Sequence, residues 1–262
     1  NGAATITSSD VVSATTDNCS STLTVSVSPS TFDCDDIGSN TVTITATDGA
    51  GNSTTATKSV TVVDNTAPSI AVVSTAVTVA LDANGAATIT SSNVMSSTSD
   101  NCTSSPTVTI TPSTFSCADV GSNTVTITST DGSGNATTAT KAITVVDNTA
   151  PTITANAATL TLDANGVAVL SSSAATAADN CSSSPSISYS QSTFTCSDLG
   201  SNTVTVTATV DSGNAGTATM TVTVQDNIAP TIAALSGTVT IALDANGAAT
   251  ITSSDVVSAT TD

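Results

Sequence analysis

The feature that most constrains this chain is that it says the same thing three times. The tetrapeptide DANG begins at Asp82, Asp163 and Asp244, the tripeptide DNC at Asp17, Asp100 and Asp179, and the phrase DNTAP or DNIAP at Asp64, Asp147 and Asp226. Successive linker phrases lie 83 and then 79 residues apart. A period near 80 exceeds the roughly 20 to 50 residues of solenoid repeats and reaches the size of a small domain. The expectation is beads on a string. Cutting after each alanine-proline gives residues 1–68 as a repeat lacking its first strand, 69–151 and 152–230 as complete repeats, and 231–262 as the opening strands of another. The segment Asn1 to Asp17 returns letter for letter as Asn246 to Asp262. Two explanations stay open: a window on a longer covalent chain, or a filament subunit whose last segment completes a neighbour by donating strands.

Within a repeat the residues alternate in twos. NTVTITATD (Asn40 to Asp48), NTVTITSTD (Asn123 to Asp131) and NTVTVTATV (Asn202 to Val210) put Val and Ile on one face and Thr on the other. That is the pattern of a half-buried antiparallel strand. No stretch has a helical period with caps, and the load of β-branched residues disfavours helix. Short strands punctuated by Gly, Asn and Asp turns predict an all-β chain of tandem immunoglobulin-like β-sandwich domains in an extended string. DANG between two such runs reads as a tight hairpin turn with Gly in the left-handed region.

Each bead has a thin core. There is no Trp, a single Tyr (Tyr189), and one Phe per repeat (Phe32, Phe115, Phe194) just before a cysteine. Domains of this size gain from staples. The six cysteines fall at equal spacing within the repeats, and with no His present a zinc site lacks ligands. The spacing predicts disulfides inside each repeat, Cys19 with Cys34, Cys102 with Cys117 and Cys181 with Cys196, each worth roughly 3 kcal/mol by loop entropy. The chain would have to double back near Ser28 to Ser30 and Thr111 to Ser113. Stable disulfides imply an oxidising, exported setting.

The acidic residues are all aspartate, twenty of them, against only Lys58 and Lys141. Asp alone, set beside Asn and Gly at element ends, suits turns and short oxygen ligands for calcium. In a sandwich the loop after the second strand and the last hairpin loop return to the pole where the linker enters. At one joint this gathers Asp64, Asn65, Asp100, Asn101, Asp131 and Asn135, and at the next Asp147, Asn148, Asp179, Asn180, Asp211 and Asn214. The outer copies are Asp17, Asn18, Asp48 and Asn52 at the start and Asp226 with Asn227 at the end. The third copy reads TVDSGN, so Val210 replaces the carboxylate of Asp48 and Asp131 and the site there should be weaker. Turn chemistry without a metal is the competing explanation.

These residues resemble two known families. VVDNTAP is similar to the calcium-binding linker of cadherins. The combination LDANGxAxI, SxxDNC, STFxCxxxGxNTVTxTxTDxxGN and VTVxDNxAP resembles the hyalin-type immunoglobulin-like repeats of giant Bacteroidota surface adhesins, including SprB-type gliding adhesins, over essentially the whole chain. The resemblance implies type 9 secretion and attachment outside the cell, with any surface glycan met through a tip outside this sequence.

Enzymatic readings are disfavoured. There is no His, Arg, Glu or Trp, and no base to activate Ser or Thr. An isopeptide bond would need a lysine in each copy, but Met220 stands in that place in the third. A net charge of −18 repels nucleic acid, and no run reaches the roughly 18 apolar residues of a membrane span. Sequons at Asn18, Asn52, Asn101, Asn135 and Asn180 overlap the proposed calcium motifs. Two functions remain. One is a calcium-stiffened stalk or filament for adhesion, its partners being neighbouring repeats or identical chains. The other uses the Thr rows as a glycan-, mineral- or ice-binding surface.

Overall fold

The computed structural model describes residues 2–261; Asn1 and Asp262, the outer ends of the duplicated text, lie outside the described residues. The chain divides into two compact units, Asn1–Asp147 and Asn148–Asp262.

The central repeat shows the architecture in full. Its strands are β1 (Ser69–Val72), β2 (Thr78–Ala80), β3 (Ala86–Thr88), β4 (Met95–Ser99), β5 (Thr107–Thr111), β6 (Thr114–Ser116), β7 (Gly121–Thr130) and β8 (Ala136–Val146). One sheet has the order β5-β7-β8-β2, with β2 running parallel to β8. The facing layer is built from the antiparallel pairs β1-β4 and β3-β6. This is an immunoglobulin-like sandwich. The alternation read from Asn123 onward sets its core, because Val125, Ile127, Ile143 and Val145 are fully or nearly fully buried, as are Phe115 in the other layer and Val94 in the turn that leads into β4. Buried Ser129 on the same face is satisfied by Thr98, oxygen to oxygen at 2.8 Å.

The DANG segment forms the tight turn expected, with Gly85 at φ 73°, but it does not close a hairpin. It carries the chain from β2 in one sheet to β3 in the other. Asp82 builds the turn by accepting the Asn84 and Ala86 amides at 2.8 and 3.0 Å. A second departure is a one-turn helix, Ser91–Val94, whose Thr90 amide donates to Asn93 Oδ1 at 2.7 Å. Equivalent turns span Ser8–Val11 and Ser253–Val256. Four residues are too few to show a helical period in sequence.

The strand directions separate two poles. At the upstream pole lie the start of β1, the end of β4 with Asp100 to Cys102, and the β7–β8 loop with Asp131. At the downstream pole lie the DANG turn, the 3-10 turn Cys117–Asp119 and the end of β8, since Gly121 pairs with Val145 and Val146 with Ala80. The ten residues of β7 run from one pole to the other, about 30 Å at strand rise.

This overturns the expected cysteine pairing. Cys102 and Cys117 sit at opposite poles, far beyond the roughly 7 Å that a disulfide can bridge. Instead Cys34 of the first repeat bonds Cys102 of the second, 68 residues apart. Cys19 and Cys196 are free and exposed, which removes the Cys19–Cys34 and Cys181–Cys196 pairs as well; Cys117 and Cys181 are each held in a disulfide. The chain does turn back at Ser28 to Ser30 and Thr111 to Ser113, but to switch sheets rather than to bring one repeat's cysteines together.

The first repeat, in the same unit, has a three-stranded sheet of Thr24–Ser28, Gly38–Thr47 and Ser53–Val62. In the second unit Ala158–Thr161, Ala215–Gln225, Gly200–Thr209 and Ser186–Tyr189 repeat the four-stranded sheet. The core there gathers Leu162, Leu170, Phe194, Val204 and Met220. Met220 is buried where Lys141 stands in the central repeat. Lys141 donates to the carbonyls of Val73 and Thr75 at 2.7 and 2.8 Å, tying the crossover between β1 and β2 to the sheet.

Candidate metal centre at the joint between repeats

Three separate segments meet where the first repeat hands over to the second. The linker brings Asp64, the turn after β4 brings Asp100 and Asn101, and the β7–β8 loop brings Asp131 and Asn135. Ligand oxygens of Asp64, Asp100 and Asp131 all lie within 4.8 Å of one another. Asp64 and Asp131 are buried, at 9% and 7% exposure.

Each carboxylate divides its labour. Asp100 Oδ2 accepts the amides of Cys102 and Thr103 at 2.9 and 2.8 Å. Those bonds, that from Thr103 first, hold its carboxyl below the ordinary value. Its Oδ1 is buried with no hydrogen-bond partner. Asp64 Oδ1 accepts Thr66 N at 3.0 Å and Asn101 Nδ2 at 3.3 Å, while Oδ2 is buried and unpartnered. Asn101 Oδ1 is likewise orphaned. Asp131 accepts the Asn135 amide and side chain, both at 2.7 Å. Asn135 also donates to the Asp64 carbonyl at 3.0 Å, clamping loop to linker.

Buried polar atoms are almost always paired, and a buried charge is costly without compensation. Three orphaned oxygens beside a third carboxylate describe a place for a hard cation. Two carboxylates and an amide oxygen stand open and Asp131 adds more; calcium takes six to eight oxygens, some of them from water. No cationic side chain neutralises the cluster: Lys141 is engaged at Val73 and Thr75, and Lys58 is exposed on its strand.

The other candidates sort by this geometry. Asn65 is exposed beside the site and brings no buried oxygen to it. In the first copy Asp17 accepts the Cys19 and Ser20 amides at 2.9 and 2.6 Å. Asp48 accepts Asn52 through backbone and side chain at 2.8 Å each, and Asn52, the side chain first, holds Asp48 low. These are the same turns that Asp100 and Asp131 make. In the second unit Asp179 repeats the Asp100 turn, with Oδ2 on Cys181 and Ser182 and Oδ1 buried and unpartnered. Val210 is buried in the place of Asp131 and keeps the same loop hydrogen bond, Val210 N to Asn214 O at 3.0 Å. Asp211 is exposed. Asp226, Asn227 and Asn148 are exposed too, whereas Asp147 is 5% exposed. The single cluster of three metal-binding groups among the described residues is the one at Asp64.

What sequence reasoning missed is the cysteine at the joint. The Cys34–Cys102 bond lies beside the cluster: Asn101 Nδ2 is 3.2 Å from Cys102 Sγ, and the Asn101 carbonyl is 3.5 Å from Cys34 Sγ. Gly2 lies against it with φ 48°, and a Cβ there would overlap Cys34 Sγ.

No protein-family profile and no curated protein matches the chain. Among solved structures, protocadherin gammaB7 domains EC3-6 match at 17% identity and TM-score 0.32, over 83% of this chain and 64% of that one. The protocadherin gammaB4 extracellular domain matches at 15% and 0.34, over 87% and 47%. Sidekick-1 immunoglobulin domains 1-5 match at 13% and 0.29, over 78% and 52%. The chain thus spans less than two thirds of each. The fold assignment rests on its own strand order. Among the described residues no helix is long and apolar enough to cross a membrane.

Proposed function

We propose that this chain is a segment of an extracellular adhesion stalk whose joints are stiffened by calcium and a disulfide. The observation that carries the reading is the pair of buried, unpartnered oxygens, Asp64 Oδ2 and Asp100 Oδ1, contributed by two successive repeats to one cluster. A cation there would be held by linker and domain together. The joint would then lose the hinge freedom expected of tandem domains. The hyalin-type resemblance supports a surface adhesin of the SprB kind, exported, with repeats of the same or identical chains as partners. Small-angle scattering of the oxidised chain in millimolar calcium and in excess chelator tests this. Stiffening in calcium supports the stalk; identical curves reject it.

A second reading has its own observation. Threonines align across three strands in the central repeat, Thr109 with Thr128 and Thr138, and Thr111 with Thr126 and Thr140. Such a ladder offers methyls and hydroxyls at strand spacing to a glycan or crystal face. Loss of glycan or ice binding in Thr128→Val would identify it as a working surface.

A further inference from the structure

We propose that the calcium cluster and the Cys34–Cys102 disulfide form one coupled device, in which the bond holds the cluster at its binding geometry and bound calcium protects the bond from reduction. The inference rests on the calcium reading of the Asp64 cluster and names the redox state of the joint as its regulator.

The coupling lies in one turn of the central repeat, where Asp100, Asn101 and Cys102 are consecutive. Asp100 Oδ2 accepts the Cys102 amide at 2.9 Å while its Oδ1 is buried and unpartnered. The backbone that carries the sulfur therefore also sets the carboxylate. Asn101 touches both features. Its Nδ2 lies 3.3 Å from Asp64 Oδ1 and 3.2 Å from Cys102 Sγ, its carbonyl lies 3.5 Å from Cys34 Sγ, and its own Oδ1 is buried and orphaned. Moving the sulfurs moves Asn101, and with it a neighbour of the Asp64 carboxylate.

The bond also joins the two parts that supply the ligands. Cys34 opens a 3-10 turn that leads into Gly38, and Gly38 pairs with Val62, two residues before Asp64. Cys102 belongs to the repeat that supplies Asp100 and Asp131. With the bond intact the three carboxylates meet in a fixed frame. With it reduced, part of that frame must be ordered when calcium binds, and the ordering cost weakens the site. Such coupling is reciprocal: the factor by which oxidation tightens calcium is the factor by which calcium makes the bond harder to reduce. The covalent step balances, one protein disulfide and two RSH giving two cysteine thiols and RSSR, with both electrons supplied by the small thiol.

The third repeat provides an internal control. Asp179 Oδ2 accepts the Cys181 and Ser182 amides in the same turn, and Cys181 is held in a disulfide. Val210 stands in the place of Asp131, and among the described residues Asp179 belongs to no cluster of three metal-binding groups. Reduction at Cys181 should therefore be indifferent to calcium.

The test equilibrates the full chain in glutathione buffers, with calcium saturating both redox forms or with chelator, alkylates the free thiols and reads labelled Cys102 and Cys181 by mass spectrometry. Calcium should make Cys102 about tenfold harder to reduce, about 30 mV for this two-electron couple, and leave Cys181 unmoved. In Asp64→Asn the shift at Cys102 should vanish. Calorimetric titration with calcium of the parent and of the double variant Cys34→Ser, Cys102→Ser should return the same factor, the variant binding about tenfold more weakly with an unchanged circular dichroism spectrum. No calcium uptake by the parent would overturn this inference and the stalk reading together. Uptake that depends on Asp64, with equal affinity in the cysteine variant and no shift at Cys102, would overturn the coupling alone. An equal shift at Cys181, or a variant whose spectrum changes on adding calcium, would also overturn it, since stability of the whole chain would then carry the effect.

Discussion

Replacing Asp131 by Asn should change the sign of its effect with calcium. In the cluster, Asp131 faces two other carboxylates at no more than 4.8 Å. Two like charges at that distance repel by about 0.9 kcal/mol even at the dielectric of water, and by more inside a protein. Removing the Asp131 charge relieves two such pairs, about 2 kcal/mol. The asparagine keeps an acceptor for the Asn135 amide but loses the bond to Asn135 Nδ2, which costs about 1 kcal/mol. In chelator the variant should therefore be more stable than the parent by about 1 kcal/mol. In calcium the balance reverses, because the parent gains about 2.7 kcal/mol when calcium is a hundredfold above its Kd. A tenfold weaker site gives up about 1.4 kcal/mol of that. Urea midpoints of both proteins in calcium and in chelator measure the four values. Equal destabilisation of the variant in both conditions would refute the reasoning and leave Asp131 a turn residue.

Reducing the Cys34–Cys102 bond frees a loop of 68 residues and should cost roughly 4 kcal/mol by loop entropy, read as a lower urea midpoint for the first unit's unfolding transition. Phe115, 4% exposed, should cost about 3–5 kcal/mol when replaced by Ala, measured the same way. The turn aspartates Asp82, Asp163 and Asp244 are each held below the ordinary value near 3.8, chiefly by the amides of Ala86, Val167 and Ala248. Their contribution is thus present above that value and lost as pH falls through the lowered folded one. Asp82→Asn should flatten the acid limb of the stability curve, and an unchanged limb would count against the turn bonds.

Much of this was legible because period-two alternation is a strong signal. Asn123 to Asp131 named the buried Val125 and Ile127 correctly, and the poles of a sandwich brought Asp64, Asp100 and Asp131 together on topology alone. The cysteines misled because equal spacing suggests a local pair, whereas strand direction decides. STFxC leads into a strand that starts at the downstream pole, and DNC follows one that ends at the upstream pole. That was available in the same topological argument that placed the aspartates. The sheet-switching role of DANG was hidden because a two-sided turn and a hairpin turn use the same Asp and Gly chemistry. Val210 shows the reverse case, a substitution visible in sequence whose consequence, an apolar side chain buried in a loop of unchanged hydrogen bonding, needed the structure.

Calorimetric titration of the oxidised chain with calcium, beside Asp64→Asn, tests the central claim most directly. The account predicts a tight site in the parent that disappears in the variant while the fold, followed by circular dichroism, is retained. Calcium uptake that is absent from the parent, or undiminished in Asp64→Asn, would contradict it.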